Sequence, residues 1–485
     1  MWRVVTLAAV LLAVALARPQ AAQLDHKDDP GAVGRWTAPF DVHTIGVHAS
    51  LLHTGQVLLF VYPLGGHLSK VALYDPASGQ VSDNRPPSRR NLFCSGHSLL
   101  PDGRLLVTGG TQWGKPHFFG TTAVDLFDPL TRHWAPGPPM AFSRWYPTNV
   151  TLADGDVLVV SGEADSLEPV QAVERYEAAT NSVTTLPASA SRAIHDYPRM
   201  VLLPTGKVLL AGQEEGTWLL DPATAAWSFV GNLVDGDRYE GNVVLLPGVR
   251  KVLAVGGNRA DPLEPTSSLG LPTASAEILD TAQPNPAWRA TSPMHFARQH
   301  ANAVLLPDGT VLEVGGGQTG LYGAPVRQAE LFDPATETWS LMASQHAARC
   351  YHSTALLLPD GRVLSAGMDS GRFARTAEIY SPPYLFRAPR PAITAAPGEL
   401  GYGASFDVAT PQAAAIRSVA LLRPAAVTHA NNFEQRYVGL EFTAGAQTLA
   451  VHAPAAGDEA PPGWYMLFVV DNSGVPSVAS WVHLG

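Results

Sequence analysis

Chemistry-bearing residues recur in this 485-residue chain at one shared register. Turn glycines stand at 55, 103, 155, 206, 248, 309 and 361, and nine residues ahead of them lie Gly46, Cys94, Tyr146, Tyr197, Tyr239, His300 and His352. The fifth position is ambiguous, because "LPGVRKV" carries an extra residue that would place Glu240 there instead. Tyr351 stands directly before His352. Any single tyrosine is ordinary packing in a β protein, but Cys, Tyr or His at six of seven positions is a convergence. Phenol, imidazole and thiol gathered round one point offer O, N and S donors, the composition of a transition-metal site. Zinc takes more Cys and His and fewer phenols; phenolate with imidazole suits Cu(II) or Fe(III), and copper is the better fit. A bound cation lowers a phenol's pKa below its solution value of about 10, so a phenolate ligand is reasonable at neutral pH.

The elements that must carry these residues are seven versions of one unit: an apolar strand, a tight turn, a second apolar strand, then Gly. The turns read "HTGQVLL", "PDGRLLV", "ADGDVLV", "PTGKVLL", "PGVRKVL", "PDGTVLE" and "PDGRVLS", with a period of 42 to 61 residues. A third strand follows most units, as in "VDLFDPLTRHW" and "AELFDPATETW". Such runs between glycine turns are hairpin signals, and no stretch shows helical periodicity. Paired glycines and a Trp-bearing outer strand resemble kelch motifs, which stack radially. The expected fold is all-β, a seven-bladed kelch-type β-propeller over 40–386, followed by a C-terminal immunoglobulin-like β-sandwich over 387–485. "GRWTAPFDV" at 34 reads as an outer strand without inner ones, able to close the ring against the last blade. In a propeller the listed register falls where each inner strand begins, at one mouth of the central channel.

The first residues, "MWRVVTLAAVLLAVALARPQAAQ", read as a cleaved secretory signal over 1–22, with a short N-terminal segment over 23–39. The apolar run is shorter than the roughly 20 residues a membrane span needs. A secreted chain with only two cysteines, Cys94 and Cys350, must draw its stability from its core, and Cys350 reads as inert packing. A net charge of -10 with no Lys/Arg block excludes nucleic-acid and anionic-membrane surfaces. The sequon at Asn149 falls on an inner strand, too buried to be modified.

Five separated segments carry a family resemblance: "NLFCSGHSLLPDGRLLVTGG", "SRWYPTNVTLADGDVLVVSG", "RCYHSTALLLPDGRVLSAG", "VTHANNFEQRY" and "PPGWYMLFVVDNSGVPSVAS". Together they resemble the galactose oxidase and glyoxal oxidase family of copper radical oxidases, over about residues 40 to 485. The resemblance implies one copper per chain, held by Tyr146, Tyr351, His352 and His429, with Cys94 joined to Tyr146 by a thioether. His429 would arrive from the C-terminal domain on a hairpin sent up the propeller axis. Sulfur beside the phenolate oxygen donates electrons, which makes a Tyr146 radical accessible; Tyr351 would act as general base.

Galactose oxidase carries a Trp soon after the cross-linked tyrosine's blade turn, where this chain reads "SGEADSL", so Trp113 becomes the candidate to stack on the thioether. Arg199 in "DYPRM" is the candidate substrate-side arginine. The implied activity is oxidation of small aldehyde hydrates or primary alcohols by dioxygen, releasing hydrogen peroxide, by a secreted monomer. Two other classes compete. A non-catalytic kelch propeller would bind a protein or glycan through its loops and have no use for the donor set; a sialidase-like hydrolase would show S-x-D-x-G-x-x-W repeats, which are not found.

Overall fold

A computed structural model describes residues 29–64, 68–84, 86, 90–113, 118–164, 169–259 and 270–485. The proposed signal, 1–22, lies outside them, as do parts of the loops at 111, 163 and 258. Strand dominates: helix is limited, among the described residues, to Pro30–Val33 and three short 3-10 segments.

Seven antiparallel sheets of four or more strands follow one another in chain order. Their first strands are His48–Leu51, Ser95–Leu99, Thr148–Thr151, Met200–Leu202, Asn242–Leu245, Gln299–Leu305 and Ser353–Leu357. Each pairs with the strand beyond its tight turn, and all seven turn glycines have left-handed φ, between 74° and 91°. Only glycine takes that conformation without a Cβ penalty, which is why the turns repeat in the sequence. The segment at 34 supplies outer strands to the seventh sheet: Arg35–Trp36 pairs with Ser381 and Tyr380, and Phe40–Asp41 with Ala377 and Thr376.

Neighbouring sheets are tied by hydrogen bonds from their first strands. Ser50 Oγ meets His97 Nδ1 at 3.0 Å, Thr108 Oγ1 donates to Asn149 Oδ1 at 2.7 Å, and Thr148 Oγ1 to Pro198 O at 2.8 Å. Arg199 Nε donates to Gly241 O at 3.1 Å, Asn242 Nδ2 to Ala301 O at 3.0 Å, and Asn302 Nδ2 to Ser353 Oγ at 3.1 Å. The seventh sheet is tied back to the first by Thr354 Oγ1 donating to Gly46 O at 2.9 Å. Asn149 is fully buried in this network.

Four sheets share an anchor that positions the segment leading into the first strand. Arg144, Arg238, Arg298 and Arg349 are buried and paired with buried Glu174, Glu277, Glu330 and Glu378 of the third strands, at 2.9, 2.6, 2.6 and 3.6 Å. Each also donates to a carbonyl at the end of the second strand: Ser161, Gly256, Gly315 and Gly367. Glycine is required at the last of these, since a Cβ on Gly367 would lie 2.4 Å from the carbonyl oxygen of His352. The fourth sheet lacks the pair, and Arg192 instead lies 3.8 Å over the ring of Trp218.

Beyond 390 two sheets pack face to face. One holds Ile416–Leu422, Tyr437–Leu440, Gly463–Asp471 and Ser480–Leu484; the other holds Ser405–Ala409, Phe442–Ala444 and Thr448–His452. Val408, Val419, Leu421, Leu449, Val451, Tyr465 and Leu467 fill the space between. A hairpin, Ala426–Thr428 with Asn431–Asn432, leaves these sheets and extends the first one, Thr428 pairing with His48 and Ala426 with Ser50. Its two tip residues, His429 and Ala430, have φ of 49° and 60°, the requirement of a tight two-residue turn.

Candidate metal centre

The residue that opens each first strand is held in the left-handed region at six of the seven sheets. Cys94, Tyr146, Tyr197, Glu240, His300 and His352 have φ of 57°, 63°, 45°, 54°, 58° and 64°. The fifth position therefore falls on Glu240, and Tyr239 is displaced from the register by the extra residue. Non-glycine residues hold this conformation only where surrounding bonds over-determine it, and such positions cluster at functional sites.

These residues converge with the hairpin tip. One donor atom each from Cys94, His352 and His429 lies within 4.8 Å of the others, and all three residues are buried. Cys94 Sγ is 3.7 Å from His429 Nε2, and the Tyr146 and Tyr351 hydroxyls are 3.1 Å apart. The Tyr351 ring stacks on His352 at 3.7 Å, and the His429 ring stands edge-on to Tyr146, Tyr351 and His352 at 5.2, 5.3 and 4.5 Å.

The imidazole tautomers follow from their outer partners. Thr428 Oγ1 donates to Val47 O at 2.9 Å and so accepts at 2.6 Å from His429 Nδ1, leaving the Nε2 lone pair directed at Cys94. Asp369 Oδ2 lies 2.7 Å from His352 Nδ1, and His352 Nε2 is buried without a hydrogen-bond partner. Burial holds both imidazoles neutral, lowering their pKa against the pull of Asp369 on His352. Burial also raises the thiol of Cys94 and the phenols of Tyr146 and Tyr351 well above their ordinary values. Unpaired ring nitrogens beside acidic groups that hold their protons only for want of a cation form a donor set suited to copper.

Arg199 corrects an expectation. It is buried, its Nη1 donates to Tyr197 O at 2.8 Å and its Nη2 to His429 O at 3.0 Å, and it pairs with Glu240 at 3.2 Å. With Nε on Gly241, every guanidinium nitrogen is engaged by protein, and the side chain holds the His429 turn. Trp113 lies on Thr111–Trp113, paired with Phe118–Gly120, and its side chain is outside what is described. Trp145 escaped the sequence reading: its ring packs on Tyr146 at 4.5 Å. The signal was adjacency, since "WY" precedes one strand as "YH" precedes another. Cys350 packs against Gly316 O at 3.4 Å, and burial pushes its thiol up to about 12.

Fold and centre together define a class: an all-β protein that draws a thiol, phenols and imidazoles from two sets of sheets into one buried donor cluster. Comparison with known proteins narrows it. The family description "Glyoxal oxidase N-terminus" matches residues 70–382, and "Galactose oxidase-like, Early set domain" matches 390–484. A galactose oxidase of Gibberella zeae is 28% identical, covering 94% of this chain and 71% of its own length. An aldehyde oxidase, GLOX, of Vitis pseudoreticulata is 29% identical over 81% of this chain and 82% of its own. A fungal alcohol oxidase solved in complex with copper superposes with a TM-score of 0.82 at 26% identity, covering 93% of this chain and 99% of that one. The chain belongs to the galactose oxidase and glyoxal oxidase family of copper radical oxidases.

Proposed function

We propose that this chain is a secreted, monomeric copper radical oxidase that converts small aldehyde hydrates or primary alcohols with dioxygen to acids or aldehydes and hydrogen peroxide. The observation that carries this reading is the meeting of five donors: Tyr146 and Tyr351 hydroxyls 3.1 Å apart, beside the Cys94, His352 and His429 atoms within 4.8 Å. We assign the domains as a signal over 1–22, a seven-bladed propeller over 40–386 and a sandwich over 387–485. The ring of hydrogen bonds that returns from Thr354 to Gly46 supports the propeller, and no helix among the described residues is long and apolar enough to cross a membrane.

Tyr146, Tyr351, His352 and His429 are the residues that would hold copper. Copper bound there supplies one-electron redox chemistry and a position for the substrate oxygen. Tyr351 takes the substrate hydroxyl proton at its Oη. Tyr146, oxidised by one electron and joined to Cys94, takes a hydrogen atom from the substrate carbon, and the remaining electron would go to the copper that the four residues hold. The thioether forms as the Cys94 S–H and a Tyr146 ring C–H break; two electrons and two protons pass to dioxygen. Trp145 covers the linked ring and keeps water from it. Asp369 and Thr428 keep the two imidazoles in the tautomers that face the centre.

The surroundings favour a neutral substrate. The Asp369 carboxylate acts on Cys94 and that of Glu240 on Tyr351, both disfavouring further negative charge, while Arg199 holds the His429 turn. A peroxide-coupled assay of the copper-loaded chain tests the reading. Peroxide with at least one of glyoxal, methylglyoxal, glycolaldehyde, galactose and benzyl alcohol is expected; none with any overturns it.

A further inference from the structure

The left-handed residues around the centre are strung on backbone hydrogen bonds between sheets. Tyr197 N donates to Tyr146 O at 2.9 Å, and Tyr146 N donates to Cys94 O at 2.8 Å. At Cys94 the run changes character, because its N–H donates to Nε2 of a side chain, His48, at 3.0 Å. The first sheet's residue at the same register is Gly46, whose carbonyl is taken by Thr354 from the seventh sheet. His48 thus stands in for the carbonyl that would continue the run. It is fully buried, its ring stacks on Phe60 at 4.4 Å and 5°, and its strand is pinned between Val57–Val61 and Ala426–Thr428. The imidazole therefore has one orientation, and Cys94 is gripped at both ends of its backbone: at N–H by His48, at C=O by Tyr146.

We infer that His48 is a positioning residue for formation of the Cys94–Tyr146 thioether, its Nε2 fixing the left-handed Cys94 backbone that aims the sulfur at the Tyr146 ring. The inference rests on the reading of the centre given above. In the linking step one C–S bond forms, an S–H and a ring C–H break, and dioxygen takes two electrons and two protons to become hydrogen peroxide. His48 touches none of the reacting atoms. Without its acceptor the Cys94 N–H is buried unsatisfied, and the segment turns away from φ 57° to bond elsewhere.

The test uses the full chain, produced without copper, then given Cu(II) and air while the Cys94–Tyr146 peptide lacking two hydrogens is followed by mass spectrometry. His48→Gln places Oε1 where Nε2 stood and should link at close to the wild-type rate. His48→Phe keeps the stack on Phe60 without an acceptor, and His48→Asn moves the acceptor to the Nδ1 side; both should link about tenfold more slowly or worse. Copper stoichiometry and thermal unfolding of each variant separate linking from folding. Should the Phe variant fail to fold, the Gln and Asn pair decides, since both carry the same amide and differ in its reach by one methylene, with thermal unfolding reporting the cost of the shorter side chain. Linking of the Phe or Asn variant at the wild-type rate overturns the inference alone. A copper-loaded wild type that never links overturns the reading of the centre, and the inference with it.

Discussion

The centre is assembled by two regions that solve the same problem differently. The sheets deliver Cys94, Tyr146 and His352 as the residues that open their first strands, and in the third and seventh sheets the lead-in is anchored within the sheet, by Arg144–Glu174 and Arg349–Glu378. The C-terminal hairpin delivers His429 from another set of sheets, and its buried pair, Arg423–Glu434, reaches outward. Glu434 accepts from Leu99 N at 3.1 Å and Thr151 Oγ1 at 2.7 Å, and Arg423 donates to Leu99 O at 3.0 Å. A sheet donor is thus specified locally, whereas His429 is in place only while the hairpin is paired with the first sheet and docked against the next three.

The largest effect should come from breaking the sheet side chemically. Cys94→Ser keeps the left-handed backbone and its bond to His48 but removes the sulfur. Turnover should fall on the order of 10³-fold or more, since groups acting as one unit fail together, and the linked peptide should vanish. A Cys94→Ser variant oxidising substrate at more than a tenth of the wild-type rate would sink the role given to sulfur.

Next in size is a paired test of the two kinds of anchor. Glu434→Ala leaves the Arg423 charge buried without its partner, and Glu277→Ala does the same to Arg238 in the fifth sheet, which supplies no proposed ligand. Each should cost about 3–5 kcal/mol in denaturant unfolding. Only Glu434→Ala should also weaken copper binding, because only its anchor holds a donor from elsewhere. Equal loss of copper affinity in both variants would mean that the centre answers to stability alone.

How far the sequence revealed this division follows from what repeats. The turn glycines are a backbone requirement at every sheet, so their period exposed the register and, with it, Cys94, Tyr146 and His352. The fifth position stayed open between Tyr239 and Glu240 because of the extra residue in "LPGVRKV", and the left-handed backbone at Glu240 decides it. The Arg–Glu anchors repeat too, but their partners stand about 30 to 40 residues apart, and three of the four glutamates read singly as an ordinary "AE" in a strand. Arg199 was read as a substrate-side arginine from the resemblance, and nothing local in the sequence marks the four acceptors that receive it. His429 has no periodic signal, since docking between two sets of sheets leaves none; only the resemblance pointed to it.

That buried arginine gives a smaller test on the hairpin side. Arg199→Lys keeps a charge opposite Glu240 but cannot fork between the carbonyls of Tyr197, Gly241 and His429. Copper affinity should fall about 10- to 100-fold, as for other groups that orient a ligand from behind, with KM for substrate unchanged. A rise in KM with copper affinity intact would return Arg199 to the substrate side.

The smallest effect separates donors from packing within the sheet side. His97, three residues beyond Cys94, is fully buried, and desolvation lowers its pKa to about 3 from the model-compound value of 6.5. Between those values the folded imidazole stays neutral while the unfolded one takes a proton. The unfolded chain then binds more protons, and stability falls as pH drops, by about 1.4 kcal/mol per pH unit from this residue. Above 6.5 the contribution is complete and flat. His97→Phe should therefore lessen the acid sensitivity of unfolding by that slope, in copper-loaded and copper-free protein alike, since no ligand role is assigned to it. His429 is also held neutral by burial, and copper on its Nε2 would exclude the proton by occupancy. The folded imidazole is thus unprotonated with or without copper, and the acid slope from His429 should persist in both forms, as should that from His97. A His97→Phe variant whose unfolding keeps the full wild-type acid slope would overturn this account of His97.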